Sequence, residues 1–337
     1  MPRFVFFGGK GGVGKTTVSS AYGLKCANAD LKTLVVSTDP AHSTSDLFDQ
    51  QFGDDPARVE GHENLWAMEI DPEEEVQEHM MEIKRRMGDQ VSPALVNEID
   101  RQIELAHQTP GAYESALFDR FIEVMRRASS GVAAEDEDED EDDHEAFDRV
   151  VFDTSPTGGT LRLLSLPEFL DQWIDRLIDK RSKSLDLFEK AAVGKQEARK
   201  KLESDPIIAH LQRRQEKFEF AAETLRNDAA FYLVLNPDEL SIRETERSID
   251  QLTEYGLAVN GLVLNKVTPA PDDEETGRGA TYLRDRVATE RERIETVRGL
   301  GRPLVARIES RVEEVKGDLL SDVADELDID VRPEATA

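Results

Sequence analysis

A short apolar run from Arg3 to Phe7 passes directly into Gly8-Gly9-Lys10-Gly11-Gly12-Val13-Gly14-Lys15-Thr16-Thr17, and no other stretch restricts the fold as strongly. The aromatic and β-branched residues of that run predict a buried strand, and the glycines at 8, 9, 11, 12 and 14 predict a turn of accessible backbone amides after it. Small and apolar residues at helical spacing from Thr16 to Ala29 predict the helix that follows. A glycine turn at the mouth of a helix is an anion cradle, since its amides and the helix N-terminus both present positive ends of dipoles. The spacing Gly9-x4-Gly14-Lys15-Thr16 is that of a P-loop, in which Lys15 reaches the β and γ phosphates of a nucleotide and the Thr16 hydroxyl ligates Mg2+. The candidate nucleotide-binding residues here are Gly9, Lys10, Gly11, Gly12, Val13, Gly14, Lys15, Thr16 and Thr17. A P-loop does not require Lys10, which is either a solvated loop charge or a second phosphate ligand.

Two carboxylates extend the pattern. Thr33 to Ser37 predicts a second strand, running into the polar loop Ser37-Thr38-Asp39-Pro40-Ala41-His42-Ser43. Arg149-Val150-Val151-Phe152-Asp153 predicts a buried strand ending in a carboxylate, followed by Thr154-Ser155-Pro156-Thr157-Gly158-Gly159. In open parallel sheets ligands bind at the carboxyl ends of strands, so Gly8, Asp39 and Asp153 are expected along one edge. Asp153 suits Mg2+ held through water, and Asp39 suits orienting or deprotonating an attacking water. Thr16, Asp39 and Asp153 are therefore the candidate metal residues, and Asp39, Lys10 and Lys15 the candidate catalytic ones. Taken singly, an Asp after a strand is more often a turn or cap residue; the joint pattern carries the reading.

The loop Gly9-Lys10-Gly11-Gly12-Val13-Gly14-Lys15-Thr16-Thr17 resembles the deviant P-loop of the MinD, ParA, nitrogenase iron protein and arsenite-pump ATPases. That resemblance implies that Lys10 reaches across a dimer interface to the partner subunit's nucleotide. Asp39 to Asp46 is similar to the first switch, and Asp153 to Leu164 to the second switch, of the ArsA/Get type, the arsenite-pump and tail-anchored-protein-targeting ATPases. Pro237 to Arg247 and Val263-Leu264-Asn265-Lys266 agree with the same family. The resemblance implies that Asn265 reads the adenine, that Asp238 touches the partner subunit's nucleotide, and that the backbone at Glu314-Val315-Lys316-Gly317 closes the base pocket. There are departures: Gly159 stands where the family usually has His, and Ile308 to Glu313 lacks the usual prolines.

The expected fold is α/β, a P-loop NTPase with a mainly parallel sheet flanked by helices and an inserted helical subdomain. Residues 1–72, 146–165 and 228–330 form the expected ATPase core, with strands at Leu65 to Ile70, Phe231 to Leu235, Val259 to Leu264 and Pro303 to Ile308. Core helices are expected at Ser241 to Tyr255, near Thr276 to Val297 and near Asp318 to Leu327. Residues 73–130 and 166–227 form the helical subdomain, with helices around Glu73 to Met87, Pro93 to His107 and Tyr113 to Arg127. Leu166, Phe169, Leu170, Trp173, Ile174, Leu177 and Ile178 lie on one helical stripe, which is either part of a groove for a transmembrane client or plain core between helices. Residues 131–145 are expected as a disordered acidic loop, ten of the eleven residues from Glu135 to Glu145 being acidic.

Charge and cysteine content narrow the function. With 71 acidic and 42 basic side chains the net charge is -29, which opposes nucleic acid and anionic lipid alike. The acidity, with 28 arginines and 14 lysines, resembles that of proteins from salt-loving organisms. The one cysteine, Cys26, is expected on the apolar face of the first helix and leaves no Cys-x-x-Cys for the zinc that clamps some targeting-factor dimers. Soft As(III) and Sb(III) prefer thiolates, so direct metalloid binding is not expected. No signal peptide and no apolar run of about 18 residues is found, so a cytoplasmic protein without membrane insertion is expected.

The expectation is thus a homodimeric ATPase using ATP and Mg2+, switching between open and closed forms. Its partner is a tail-anchored membrane-protein client or, alternatively, a membrane pump or receptor of an anion efflux system. A ParA-like positioning switch needs a basic DNA-binding face, and a MinD-like one a basic amphipathic tail, whereas Asp318 to Val331 has no Lys or Arg.

Overall fold

The computed structural model describes residues 2–38, 43–71, 112–130, 146–153 and 206–331. Eight strands form one sheet in the order β3-β4-β2-β5-β1-β6-β7-β8. They are β1 (Phe4–Gly8), β2 (Thr33–Ser37), β3 (Ala57–Arg58), β4 (Leu65–Glu69), β5 (Arg149–Asp153), β6 (Ala229–Leu235), β7 (Val259–Val267) and β8 (Leu304–Glu309). Every neighbouring pair is parallel except β3 and β4, which run antiparallel at the edge. The helices are α1 (Lys15–Asn28), α2 (Ser43–Phe48), α3 (Ala112–Ser130), α4 (Pro206–Asn227), α5 (Glu239–Glu254), α6 (Arg278–Arg298) and α7 (Asp318–Glu326). This is the mainly parallel α/β architecture expected of a P-loop NTPase.

The central strands are buried on both faces because their side chains alternate between two cores. Phe4, Phe6, Val36, Phe152, Phe231 and Leu264 face one core, completed by Phe118 and Phe121 of α3, Phe218 of α4, Ile242 of α5 and Ile294 of α6. Val5, Phe7, Val35, Val151, Val234 and Val263 face the other, completed by α1 and α7 through Val18, Ala21, Leu24, Leu320 and Val323. The register places Phe6 beside Phe152 on one side and Phe231 on the other. Their rings stack at centroid distances of 4.6 and 5.0 Å, which ties β1 to both neighbours beyond the backbone ladder. A sheet so braced holds the β1 terminus, and the glycine loop on it, in a fixed place.

Predicted and observed elements agree to within one or two residues at most ends. α5 begins at Glu239, two residues before the expected start, because Asp238 caps it by accepting the Ser241 N–H at 2.9 Å. β7 runs to Val267 and not to Leu264, through an irregularity at its end. The described parts of α3 and α4, which the boundaries 73–130 and 166–227 assign to the helical subdomain, lie against the sheet, and Phe118 stacks on Phe218 at 5.7 Å. The expected helices at Glu73 to Met87 and Pro93 to His107, the acidic loop at 131–145 and the stripe from Leu166 to Ile178 lie outside the described residues.

The C-terminal segment is bound by side chains of α1 and of β5. Tyr22 Oη donates to the Asp330 carbonyl at 3.3 Å, Lys25 Nζ to the Leu327 carbonyl, and Arg149 Nη2 to the Val331 carbonyl at 2.8 Å. Cys26 is fully buried there, and burial pushes its thiol up to about 11. At neutral pH it is therefore a small hydrophobe and not a thiolate. Among the described residues, no helix is long and apolar enough to cross a membrane.

Candidate functional site

Every expected site residue within the described structure lies at the carboxyl edge of the sheet. β1 ends at Gly8 and α1 begins at Lys15, so residues 9–14 form the turn between them. Two glycines are sterically obligatory. A Cβ on Gly9, at φ 143°, would sit 2.2 Å from the Val234 carbonyl oxygen, and one on Gly14, at φ 92°, would sit 2.3 Å from Asn265 Nδ2. The loop is therefore wedged between the ends of β6 and β7, and only glycine admits so close an approach.

Lys15, buried at the start of α1, donates from Nζ to the Lys10 carbonyl at 3.4 Å, so its ammonium lies over the loop. Thr16 Oγ1 donates to Asp153 Oδ2 at 2.5 Å, joining the first turn of α1 to the end of β5. Hydroxyl and carboxylate form a pair of hard oxygen donors at the mouth of an amide turn, the donor chemistry that suits Mg2+ beside a phosphate. Thr17, half-buried, follows on the first turn of α1, and among the described residues no side chain pairs with the Lys10 ammonium. The turn, Lys15, Thr16 and Asp153 are thus brought together.

Asp39 lies outside the described residues, but the chain on either side of it is fixed. Ser37 is in register with Asp153 on one side and Glu69 on the other. Thr38 donates from its backbone N–H to the Asp153 carbonyl at 3.4 Å. Beyond residues 39–42, α2 starts on a buried carboxylate: Glu69 Oε1 accepts the N–H groups of Thr44 at 3.0 Å and Ser45 at 2.9 Å, and Oε2 accepts the Ser45 hydroxyl at 2.8 Å. Four residues therefore span two anchored points, one on the Asp153 strand and one on Glu69.

Glu69 is a functional candidate that sequence reading missed, although a carboxylate ending an apolar strand is the same signal that singled out Asp153. α2 was missed as well, being six residues with little apolar periodicity. Glu69→Ala leaves two amides and a hydroxyl without their charged acceptor, and is expected to lower unfolding free energy by about 2–3 kcal/mol in urea titration, with Glu69→Gln recovering part of the loss.

Asn265 and Asp238 are placed differently. Asp238 lies just beyond β6 as the cap of α5. Asn265 is buried behind the loop, with Nδ2 donating to the Val13 carbonyl at 2.8 Å and Oδ1 accepting the Lys266 N–H at 2.8 Å. The amide thus braces the glycine turn, a role its position in the sequence did not suggest. The backbone from Glu314 to Gly317 immediately precedes α7.

The chain matches the family described as anion-transporting ATPase over residues 2–328. It is 33% identical over 273 residues to a candidate arsenical pump-driving ATPase of Aquifex aeolicus, covering 81% of this chain and 83% of that one. It is 33% identical over 284 residues to ATPase ASNA1 homolog 1 of Paramecium tetraurelia, covering 81% and 77%. A similarity of 34% over 281 residues joins it to ATPase GET3 of Candida tropicalis, covering 81% and 74%.

Proposed function

Because the chain belongs to the anion-transporting ATPase family, we propose that it is a dimeric, Mg2+-dependent enzyme that hydrolyses ATP to drive a switch for carrying tail-anchored membrane proteins. The observation that carries the nucleotide reading is the Thr16–Asp153 contact at the mouth of a glycine turn that tolerates no side chain at Gly9 or Gly14. Loop amides and Lys15 hold the β and γ phosphates, and Lys10 completes the partner subunit's site. Thr16 and Asp153, which lie within hydrogen-bond distance of one another, are the residues that would hold Mg2+. The chemistry such an ion would supply is neutralisation of charge on the phosphates. Asp39 orients the attacking water and takes its proton as the bond from the γ phosphorus to the bridging oxygen breaks and ADP departs. Asn265 and the backbone at Glu314 to Gly317 form the adenine pocket, and Asp238 faces the partner.

One observation supports a carrier of hydrophobic clients over a subunit that binds metalloid: Cys26 is buried with its thiol pushed up to about 11 by burial, so it offers no thiolate. The alternative, an ATPase energising an anion efflux pump whose metalloid site lies elsewhere, is supported by the similarity to the Aquifex protein.

The test is ATP turnover with Mg2+ in concentrated salt, combined with aggregation of a reporter ending in a transmembrane segment. ATP-dependent protection of the reporter is the expected result. Stimulation of turnover by arsenite without protection would favour the pump, and no turnover in either case would remove the proposal. Light scattering with ATP is expected to give twice the 37.8 kDa of one chain.

A further inference from the structure

Two consecutive side chains at the end of β7 grip two consecutive carbonyls of the glycine turn. Asn265 Nδ2 donates to the Val13 carbonyl at 2.8 Å, and Lys266 Nζ donates to the Gly12 carbonyl at 2.6 Å. Along a regular strand successive side chains point to opposite faces, so residues 265 and 266 should not reach one loop together. Here the alternation is broken. Lys266 has φ 57°, a left-handed conformation that a lysine rarely adopts, and the pairing of β7 with β8 shifts register between Leu264 and Val267. Such irregularities re-aim a side chain near a site. The strand end is held in this shape from behind, where buried Glu290 accepts the Thr268 N–H at 2.8 Å and hydroxyl at 2.7 Å and the Arg286 Nε–H at 3.0 Å. Burial alone would raise the Glu290 pKa, but these hydrogen bonds keep its carboxyl below the usual range, so it stays an ionised anchor.

We propose that Lys266 is a positioning residue for phosphate binding, acting by orienting the amides of the glycine turn before nucleotide arrives. The inference rests on the ATPase reading above. In a planar trans peptide the C=O and the N–H of one unit point in opposite directions. Holding the Gly12 carbonyl from behind therefore turns the Val13 N–H toward the front of the loop, and holding the Val13 carbonyl does the same for the Gly14 N–H. With Asn265 and Lys266 both engaged, two successive amides are aligned as donors, which lowers the ordering entropy lost when phosphate binds. Lys266 touches no phosphate in this scheme. Its ammonium acts on the rear of the turn, unlike those of Lys10 and Lys15.

The experiment measures the dissociation constant of Mg-ATP by calorimetry for the unchanged protein and for Lys266→Gly, Lys266→Met and Lys266→Arg. Glycine accepts the left-handed backbone without strain, so Lys266→Gly removes the ammonium while keeping the turn, and its nucleotide-free melting temperature checks that the fold survives. Loss of one such hydrogen bond predicts about fivefold weaker ATP binding in the Gly and Met variants. Little change in kcat at saturating ATP and partial recovery in Lys266→Arg, which retains a donor, are also expected. Affinity equal to that of the unchanged protein in both Gly and Met variants, or a loss confined to kcat, would overturn the inference while leaving the ATPase reading intact. Failure of the unchanged protein to bind ATP would overturn both.

Discussion

Lys15→Met is expected to lower kcat/KM for ATP by about a hundredfold to a thousandfold, the scale of removing one preorganised charge from a phosphoryl-transfer site. Methionine preserves the unbranched stem that packs at the start of α1 and deletes only the ammonium. That ammonium donates to the Lys10 carbonyl at 3.4 Å, a long contact. The melting temperature of the variant separates lost activity from lost fold, since a change of 1 kcal/mol moves a chain of this size by only a few degrees. Both ATP affinity and kcat should fall, because the proposed function has Lys15 meet charge on the β and γ phosphates before and during bond breaking. Lys15→Arg should not restore activity, since a planar fork does not fit where a compact ammonium reaches between phosphates. Activity within tenfold of the unchanged protein in a coupled ADP-release assay would show that Lys15 does not hold the transferred phosphate.

The strands were legible because a parallel sheet covered on both faces writes itself as short continuous apolar blocks, and Arg149 to Asp153 and Thr33 to Ser37 coincide with β5 and β2. The order of the strands was not legible. That β5 separates β1 from β2, and so sets Asp153 beside Thr16, depends on long-range pairing that no local pattern records. Within the site, the glycine turn was readable from residue type because amide cradles demand glycine. The roles of Glu69, Asn265 and Lys266 were not readable, since each acts on a backbone group distant in sequence: Glu69 on the start of α2, Asn265 and Lys266 on residues 13 and 12. The left-handed conformation at Lys266 is invisible for the same reason. Lysine carries no propensity for it, and the conformation is imposed by the strand irregularity around it.

Asp39→Asn is expected to separate binding from hydrolysis, reducing kcat by about 10²–10⁴-fold, the usual contribution of a positioned base, while ATP affinity changes little. The argument comes from the two anchors that flank it. Thr38 is held to the Asp153 carbonyl on β5, and Thr44 and Ser45 are held to Glu69 on β4, so the described chain on both sides of residues 39–42 is anchored beside Asp153, which the proposed function gives to Mg2+. In the role proposed for Asp39 a carboxylate can accept a proton from the attacking water, and an amide of the same size cannot. In the proposed site the phosphates are held by other groups, the turn amides and Lys15, so the Asn variant should keep its grip on ATP. This pattern is the converse of that for Lys15→Met, where affinity falls with rate. Calorimetry and single-turnover measurements on the two variants therefore distinguish a water-positioning group from a phosphate-holding one. Equal loss of affinity in both would place Asp39 among the ligands of the bound nucleotide, and retained turnover in Asp39→Asn would remove it from the chemistry. Under the proposed function an ATP-locked Asp39→Asn variant should also retain its client, so a transmembrane segment that co-purifies with it, and not with Lys15→Met, would join the hydrolytic site to its load.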